Sequence, residues 1–558
     1  MPSIKRRYKG PEPTHGSPAK ITRLQKTTNA VPRILIMGAG YRGHAYAGPI
    51  HGSSEATLAA VVETSAFKRK AFGESFIWGA AGRNGPREGE EFDSWEGFIK
   101  YETNRREKVR MGEKVEDPGV DAVFVCILDE LHAPAIKALA PLGLHVMCEK
   151  PLATRLEDIV GMYGALKSSW TKLQHQTVFA AGFVLRYSSA NMLLRKLVRE
   201  DRAVGDVISV EHTDMIGWWH FVHSYVRGNW RKESTSAPSL LTKSSHDIDF
   251  LLWLLCSPTS SSSADDRPHL PSRISSFGRL HYYRRAFKPS AAGAATNCLS
   301  CPIEPTCLHS AKSLYLHRQL ENGDTNRPPQ PSSRATERLL HALSDDYDKS
   351  TSAKEVSRKN WYGRCAWECD NDVCDDQIVT MEWDDDPLPA SYQNEKGDGL
   401  ATYQMTQTGE ELPICHTAKT VQFHMVANTD DVGSRRGRIS GTAGEISYDL
   451  TTIRVVDFRS GKETVYATPQ TDDIRNDRDE RLTLDFIRAV AEVKSGKMKA
   501  DEAQRTFLGC TVEDLIRSHL VVFWAEAARR KGRVLKWEEW WEKVVEGGLR
   551  ELGSELQP

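Results

Sequence analysis

Four groups of residues in this 558-residue chain have the types and spacing to do chemistry. The first is Gly38-Ala39-Gly40-Tyr41-Arg42-Gly43, which follows the apolar run RILIM and opens a helical stretch. The first Gly allows a tight turn, and the second lets backbone approach a pyrophosphate. The third allows close helix–strand packing, and the helix N-terminus stabilises the diphosphate charge. Glu63 ends the next apolar run, TLAAVVE, where a carboxylate accepts hydrogen bonds from an adenosine ribose. A carboxylate there repels a 2′-phosphate and favours NAD. Lys68 and Arg69, a few residues on, keep NADP open.

The second group closes the run LHVMCEKPLA. Lys150 is expected at the carboxyl end of a parallel strand, where such sheets place ligands. A desolvated Lys beside a cationic nicotinamide exchanges protons near neutrality. Pro151 is expected to hold the turn in a cis bond. The third group is the aromatic segment VEHTDMIGWWHFVHSYVRGNWR. Faces of Trp218, Trp219 and Trp230 can stack on C–H-rich rings, while His220, His223, Arg227 and Asn229 can hydrogen-bond hydroxyls or a carboxylate. An aromatic core cluster is the competing reading, because Trp218 and Trp219 point to opposite faces if the segment is extended. The fourth group is cysteine. Cys298, Cys301 and Cys307, with Cys365, have the ligand type for a structural zinc or iron–sulfur centre remote from the reacting site. The alternative is reduced thiols in an inserted loop. Cys126, Cys148, Cys256, Cys415 and Cys510 are expected to be mostly packing residues.

These residues need elements to position them. From RILIM to TVFAAGF, short apolar runs alternate with helical stretches, which predicts a parallel, doubly wound sheet. Beyond residue 184, runs such as DVISVEHTDM, QIVTMEW and AKTVQFHMVAN follow one another with few helices between, and predict a large, mostly antiparallel open sheet. The expected organisation is a disordered basic arm over 1–30, a Rossmann domain over 31–183 and an α+β domain over 184–545. Inserted loops are expected near 257–273, 290–375 and 384–400, and a tail over 546–558. The arm carries seven Lys or Arg and one Glu; its KRRYK could serve as a nuclear address, but cytoplasmic placement is the default. Lys and Arg total 74 against 75 Asp and Glu, so no nucleic-acid or membrane-surface partner is indicated. No apolar run is long enough to span a bilayer.

Taken together, GAGYRG, AAVVE, VDAVFVCILDELHAPAIKAL, GLHVMCEKPLA, SSHDIDFLLWLL and RGRISGTAGEISYD resemble the Gfo/Idh/MocA family, the glucose–fructose oxidoreductase and inositol dehydrogenase group. A subgroup resemblance adds the WWH segment, a Lys-containing K-x-x-H-D motif and YGRC…CDNDV. The resemblance implies a nucleotide domain followed by an open-sheet domain, and NAD(P)-dependent oxidation or reduction of a sugar, cyclitol or related small molecule. It assigns Cys126, Ile127 and His132 to the nicotinamide side, and Glu149 with Lys150 to the EKP pair. His246 takes the acid/base role, and Asp247 continues that helix. Arg186 and Tyr187 are expected in the same cleft. A structural His facing the sheet is the competing reading of His246. Thr242 departs from the family, many members of which carry Asp there, and Lys243 is expected to supply a charge instead. Two other functions share the scaffold: a redox-neutral NAD-dependent glycosidase or lyase, and a non-catalytic nucleotide-binding regulator. The resemblance also implies a homo-oligomer, a dimer or tetramer.

Overall fold

The computed structural model describes residues 5–7, 31–256, 268–317, 333–385, 403–405, 411–413, 417–430, 434–449, 451–468 and 474–546. Most of the expected arm, residues 257–267, 318–332 and 386–400 of the expected loops, nearly all of the tail, and Cys415 lie outside the described residues. Within the arm, Lys5–Arg7 forms strand β1.

Five-residue apolar runs without polar alternation can only be strands buried on both faces, and the chain uses them so. Strands β2 (Arg33–Met37), β3 (Thr57–Val62), β4 (Glu91–Phe92), β5 (Ala122–Val125), β6 (His145–Cys148) and β7 (Phe179–Ala181) form one sheet in the order β4-β3-β2-β5-β6-β7. All its pairings are parallel. The order reverses between β2 and β5, so a crevice opens at their carboxyl ends. Gly38 follows β2 and Cys126 follows β5 at that point.

The second sheet contains β8 (Val207–Gly217), β9 (Arg273–Arg279), β10 (Asp376–Trp383), β13 (Lys419–Thr429), β14 (Arg435–Gly441), β15 (Gly444–Tyr448), β16 (Thr452–Asp457), β17 (Glu463–Ala467) and β18 (Leu535–Lys536). Its order is β1-β17-β16-β15-β14-β8-β13-β10-β9-β18, and only β1–β17 and β8–β13 run parallel. A short separate hairpin joins β11 (Tyr403–Met405) to β12 (Glu411–Pro413). Inward residues alternate cleanly: Val379, Met381 and Trp383 of β10 are buried, and so are Val421, Phe423 and Met425 of β13.

Helices Ser245–Leu255 and Val512–Lys531 pack between the sheets, the second opened by a capping box at Thr511 and Asp514. Helix Ile474–Lys494 returns to the nucleotide side, where Phe486 meets Phe124 of β5 edge-on at 5.3 Å. Residues from the second half of the chain therefore complete the core under the first sheet.

Candidate active site

The glycine loop has the expected stereochemistry. Gly38 has φ +100°, and a Cβ there would sit 2.4 Å from the Cys126 carbonyl oxygen. A Cβ on Gly43 would meet the Gly38 carbonyl oxygen at 2.1 Å. At Gly40 a Cβ would meet nothing within 4 Å, so the backbone there faces open space. Gly40 caps helix Tyr41–Gly52, which has neither a side-chain cap nor an acidic residue in its first turn. An anion can approach that N-terminus unopposed. Tyr41 is 78% exposed at its rim. Glu63 reaches the loop from β3: its carboxylate accepts from the Ala39 N–H and the Ser65 N–H, both at 2.9 Å. Arg69 is committed to the Glu63 carbonyl at 2.6 Å and to Glu91.

Arg42 and Glu149 correct the expectation that they face a cofactor. The Arg42 guanidinium donates to Glu149 at 2.6 Å, to the Tyr46 hydroxyl at 2.6 Å and to both oxygens of Asp479 at 2.7 and 2.9 Å. Tyr46 also donates to Glu149. Burial pushes the Glu149 carboxyl up, but Arg42 and Tyr46 outweigh it and hold it below its usual range. Four groups thus clamp the glycine loop, the end of β6 and helix Ile474–Lys494 together, and commit four of the five Arg42 donors.

Lys150 follows directly, before a cis Lys150–Pro151 bond. Its Nζ donates to the Thr242 main-chain carbonyl at 2.5 Å. Burial pushes its pKa down to about 8 against the opposing pull of Asp129 and Glu149. His132 fixes this turn, with Nδ1 2.7 Å from the Pro151 carbonyl and Nε2 3.1 Å from the Ile127 carbonyl. The Cys126 thiol is pushed up by burial and by Glu149. The His246 ring meets Phe183 edge-on at 6.0 Å, and among the described residues its Nδ1 has no hydrogen-bond partner. Burial and Lys150 push its pKa well below the usual imidazole range, so it enters the site as a neutral ring.

The other expected substrate residues separate. Lys243 is paired with fully buried Asp214 at 3.1 Å, which also accepts from Ser244. Asp247 is no ligand group: Arg435 grips it at 2.6 and 3.0 Å and His212 at 2.9 Å, all inside the core. Arg186, 3% exposed, forms a bidentate pair with buried Asp249 at 2.6 and 2.8 Å, so it supports the helix rather than the cleft. Tyr187 is buried beside it.

The aromatic segment is helical over Trp218–Val226, not extended, so its side chains fan out. Trp218 and Trp219 are half-buried, and Trp218 lies edge-on to His309 at 5.4 Å. His220 packs against Trp219 at 5.7 Å. His223 bonds Tyr315 at 3.0 Å and stacks on Tyr362, which removes it from the cleft. Arg227 is fully buried and donates to carbonyls of Arg364 and His309. Asn229 is exposed and accepts from Asn360. Trp230 reaches the loop after β5: its Nε1 donates to Asp129 at 2.8 Å.

Cys298, Cys301, Cys307 and Cys365 line one small cavity with His309 and Trp367. The metal expectation is nonetheless corrected. Among the described residues no group of three or more His, Cys, Asp or Glu is disposed to hold an ion, and these four are free thiols. CDNDV and the Asp just after it form a structural clamp: Asp370 holds Arg231, Asp372 takes the Glu233 N–H, and Asp375 takes those of His281 and Tyr282.

Sequence reasoning missed Asp129, Asp214, Tyr225 and Asp479. Asp129 was findable, since it is a carboxylate just past a parallel strand's carboxyl end. Asp214 and Asp479 come from distant elements with no local signature.

Residues 32–176 match the GFO_IDH_MocA model, described as an oxidoreductase family with an NAD-binding Rossmann fold. That match covers about a quarter of the chain. Levoglucosan dehydrogenase of Pseudarthrobacter phenanthrenivorans is 28% identical over 141 residues, 25% of this chain and 34% of that protein. The 2,7-anhydro-N-acetylneuraminate hydratase of Escherichia coli is 33% identical over 137 residues, 24% of this chain and 34% of the other. The aligned part thus covers 34% of the length of each. A solved levoglucosan dehydrogenase in complex with NADH and levoglucosan matches at TM-score 0.51 and 13% identity, covering 90% of this chain and 99% of its own. The likeness in fold to that structure therefore extends beyond the nucleotide domain to the second sheet. Among the described residues no helix is long and apolar enough to cross a membrane.

Proposed function

We propose that this protein is an NAD(P)-dependent oxidoreductase that transfers a hydride between the nicotinamide and a sugar, cyclitol or related hydroxy or carbonyl compound. The observation that carries this reading is Lys150. A lysine with a pKa near 8 stands at the carboxyl end of β6, beside a glycine loop whose helix N-terminus is open. A purely structural lysine gains nothing from such desolvation.

Gly38, Gly40 and Gly43 would cradle the diphosphate and Glu63 the ribose, which favours NAD; Arg69, already committed, offers little to a 2′-phosphate. The bound cofactor supplies the hydride acceptor in oxidation and the donor in reduction. In the oxidative direction the neutral Lys150 amine takes the hydroxyl proton as the hydride leaves the same carbon. The Thr242 carbonyl orients that amine, and neutral His246 can accept or relay the proton. A homo-oligomer and placement in the cytoplasm belong to the same proposal.

The test is titration of the purified protein with NADH and NADPH after checking for carried-through cofactor, followed by a screen of sugars, cyclitols and their acids. No binding of either nucleotide by folded protein overturns the reading. A redox-neutral use of the cofactor is the second reading, favoured by the hydratase among the relatives, whose named reaction adds water. Product formation without NADH accumulation selects it.

A further inference from the structure

Two neighbouring residues of helix Val512–Lys531 hold the two segments that carry Lys150 and His246. The Ser518 hydroxyl donates to Asp249, on the helix that bears His246, at 2.7 Å. His519 faces the other segment: its Nε2 accepts from the Leu152 N–H at 2.9 Å. His519 and Leu152 are both fully buried, so water cannot replace that bond. An amide N–H only donates. Nε2 therefore carries no proton, and the ring proton sits on Nδ1, 2.8 Å from the Leu515 carbonyl. Burial, with Lys150 and His132 adding to it, pushes the His519 pKa down to about 4, so the ring keeps this neutral form at ordinary pH. The peptide unit joining Pro151 to Leu152 is thus held at both of its polar groups. His132 Nδ1 meets its oxygen at 2.7 Å, and His519 takes its N–H. The His519 ring also packs on Phe183 at 5.1 Å, and Phe183 meets the His246 ring.

We propose that His519 is a positioning residue for Lys150, acting through the Leu152 amide. It moves no proton itself. A peptide unit is planar and rigid, so fixing both of its polar groups fixes the direction in which the chain leaves Lys150. That direction brings the lysine amine to the Thr242 carbonyl at 2.5 Å. Without the Nε2 acceptor, the Leu152 N–H is left buried and unpaired, a cost the turn relieves by rotating that peptide unit. The lysine amine then leaves the carbonyl for water. The inference deepens the oxidoreductase reading and rests on it only for what Lys150 does.

The test is competitive acetylation of full-length protein with trace acetic anhydride from pH 6 to 11, read at Lys150 by peptide mass spectrometry. His519→Asn places an amide nitrogen where Nδ1 stood and keeps a donor for Leu515, but nothing reaches Leu152. His519→Gln places an acceptor where Nε2 stood. The Asn variant should raise the Lys150 midpoint by about half a pH unit or more, because the amine regains water. The Gln variant should keep most of the wild-type curve. A wild-type curve for the Asn variant, or an equal shift in both variants, would overturn the proposal. Circular dichroism and cooperative urea unfolding report that each variant is folded. Should one not fold, amide exchange of the wild type decides: the Leu152 amide should be protected, and exchange at the rate of unstructured chain would remove the bond and the proposal with it. NADH titration runs alongside. If the wild type binds no nucleotide, the oxidoreductase reading fails, while the acetylation curves still decide the positioning.

Discussion

The Lys150 ammonium donates to the main-chain carbonyl of Thr242 at 2.5 Å, so the lysine is oriented by backbone where a side-chain carboxylate is missing. A carbonyl accepts one hydrogen bond without adding charge. The lysine is steered, and its proton is held less tightly than an ion pair would hold it.

Lys150→Met should abolish turnover while changing NADH affinity by less than about tenfold, or 1.4 kcal/mol. It should also alter the pH dependence of stability. The folded-state pKa of Lys150 is about 8 against an ordinary 10.5, so the unfolded chain binds more protons between these values. Wild-type stability then rises with pH across that window, and the Met variant lacks this rise. Melting temperatures of the two proteins from pH 7 to 11 check it. A difference that stays constant with pH would show that the lysine is not desolvated.

Glu63→Ala removes the carboxylate that accepts from Ala39 and Ser65 at the glycine loop. NADH binding should weaken about tenfold or more and NADPH binding less, since the lost group also repels a 2′-phosphate. Fluorescence titration with both nucleotides decides it, and equal losses would contradict the ribose assignment.

Breaking the buried Arg186–Asp249 pair should behave as a stability lesion. Arg186→Met leaves an uncompensated carboxylate in the core and should cost about 3–5 kcal/mol in urea unfolding. The double variant Arg186→Met with Asp249→Leu should recover much of that loss. A selective KM effect with unchanged stability would instead return Arg186 to the cleft.

The Arg42–Asp479 contact joins the glycine loop to a helix more than 400 residues away. A double-mutant cycle with Arg42→Met and Asp479→Asn should give a coupling of about 1–2 kcal/mol, within the range for residues sharing one network. Additive effects would mean the clamp is not cooperative.

The nucleotide fold was legible because its signals are local. GAGYRG after RILIM and EKP after LHVMC each specify one strand end, and parallel β–α alternation leaves one arrangement for them. The charge pairing was not legible. Arg42, Arg186, Arg227, His223, Lys243 and Asp247 are polar residues near the right motifs, yet each is consumed by a partner 29 to 437 positions away. Residue type announces that a group can bind a ligand. Only the packing of distant elements shows whether a protein group has reached it first. The Trp218-Trp219 pair misled for a related reason, since an apolar run after a strand reads as more strand until its helical turn is seen.

Arg227 makes the segment of roughly 290–375 more than an ornament on the second sheet. This arginine is wholly enclosed; among the described residues no carboxylate bonds it, its Nε donates to the Arg364 carbonyl, its Nη2 donates to the His309 carbonyl and, at 3.4 Å, to the Cys298 sulfur, and its Nη1 has no partner. All three acceptors lie in that segment, so the inserted chain serves as the solvent of a core cation. Insert and arginine therefore form one structural unit. A version trimmed to an insert-free length would strand a bare charge, unless position 227 became apolar in the same step.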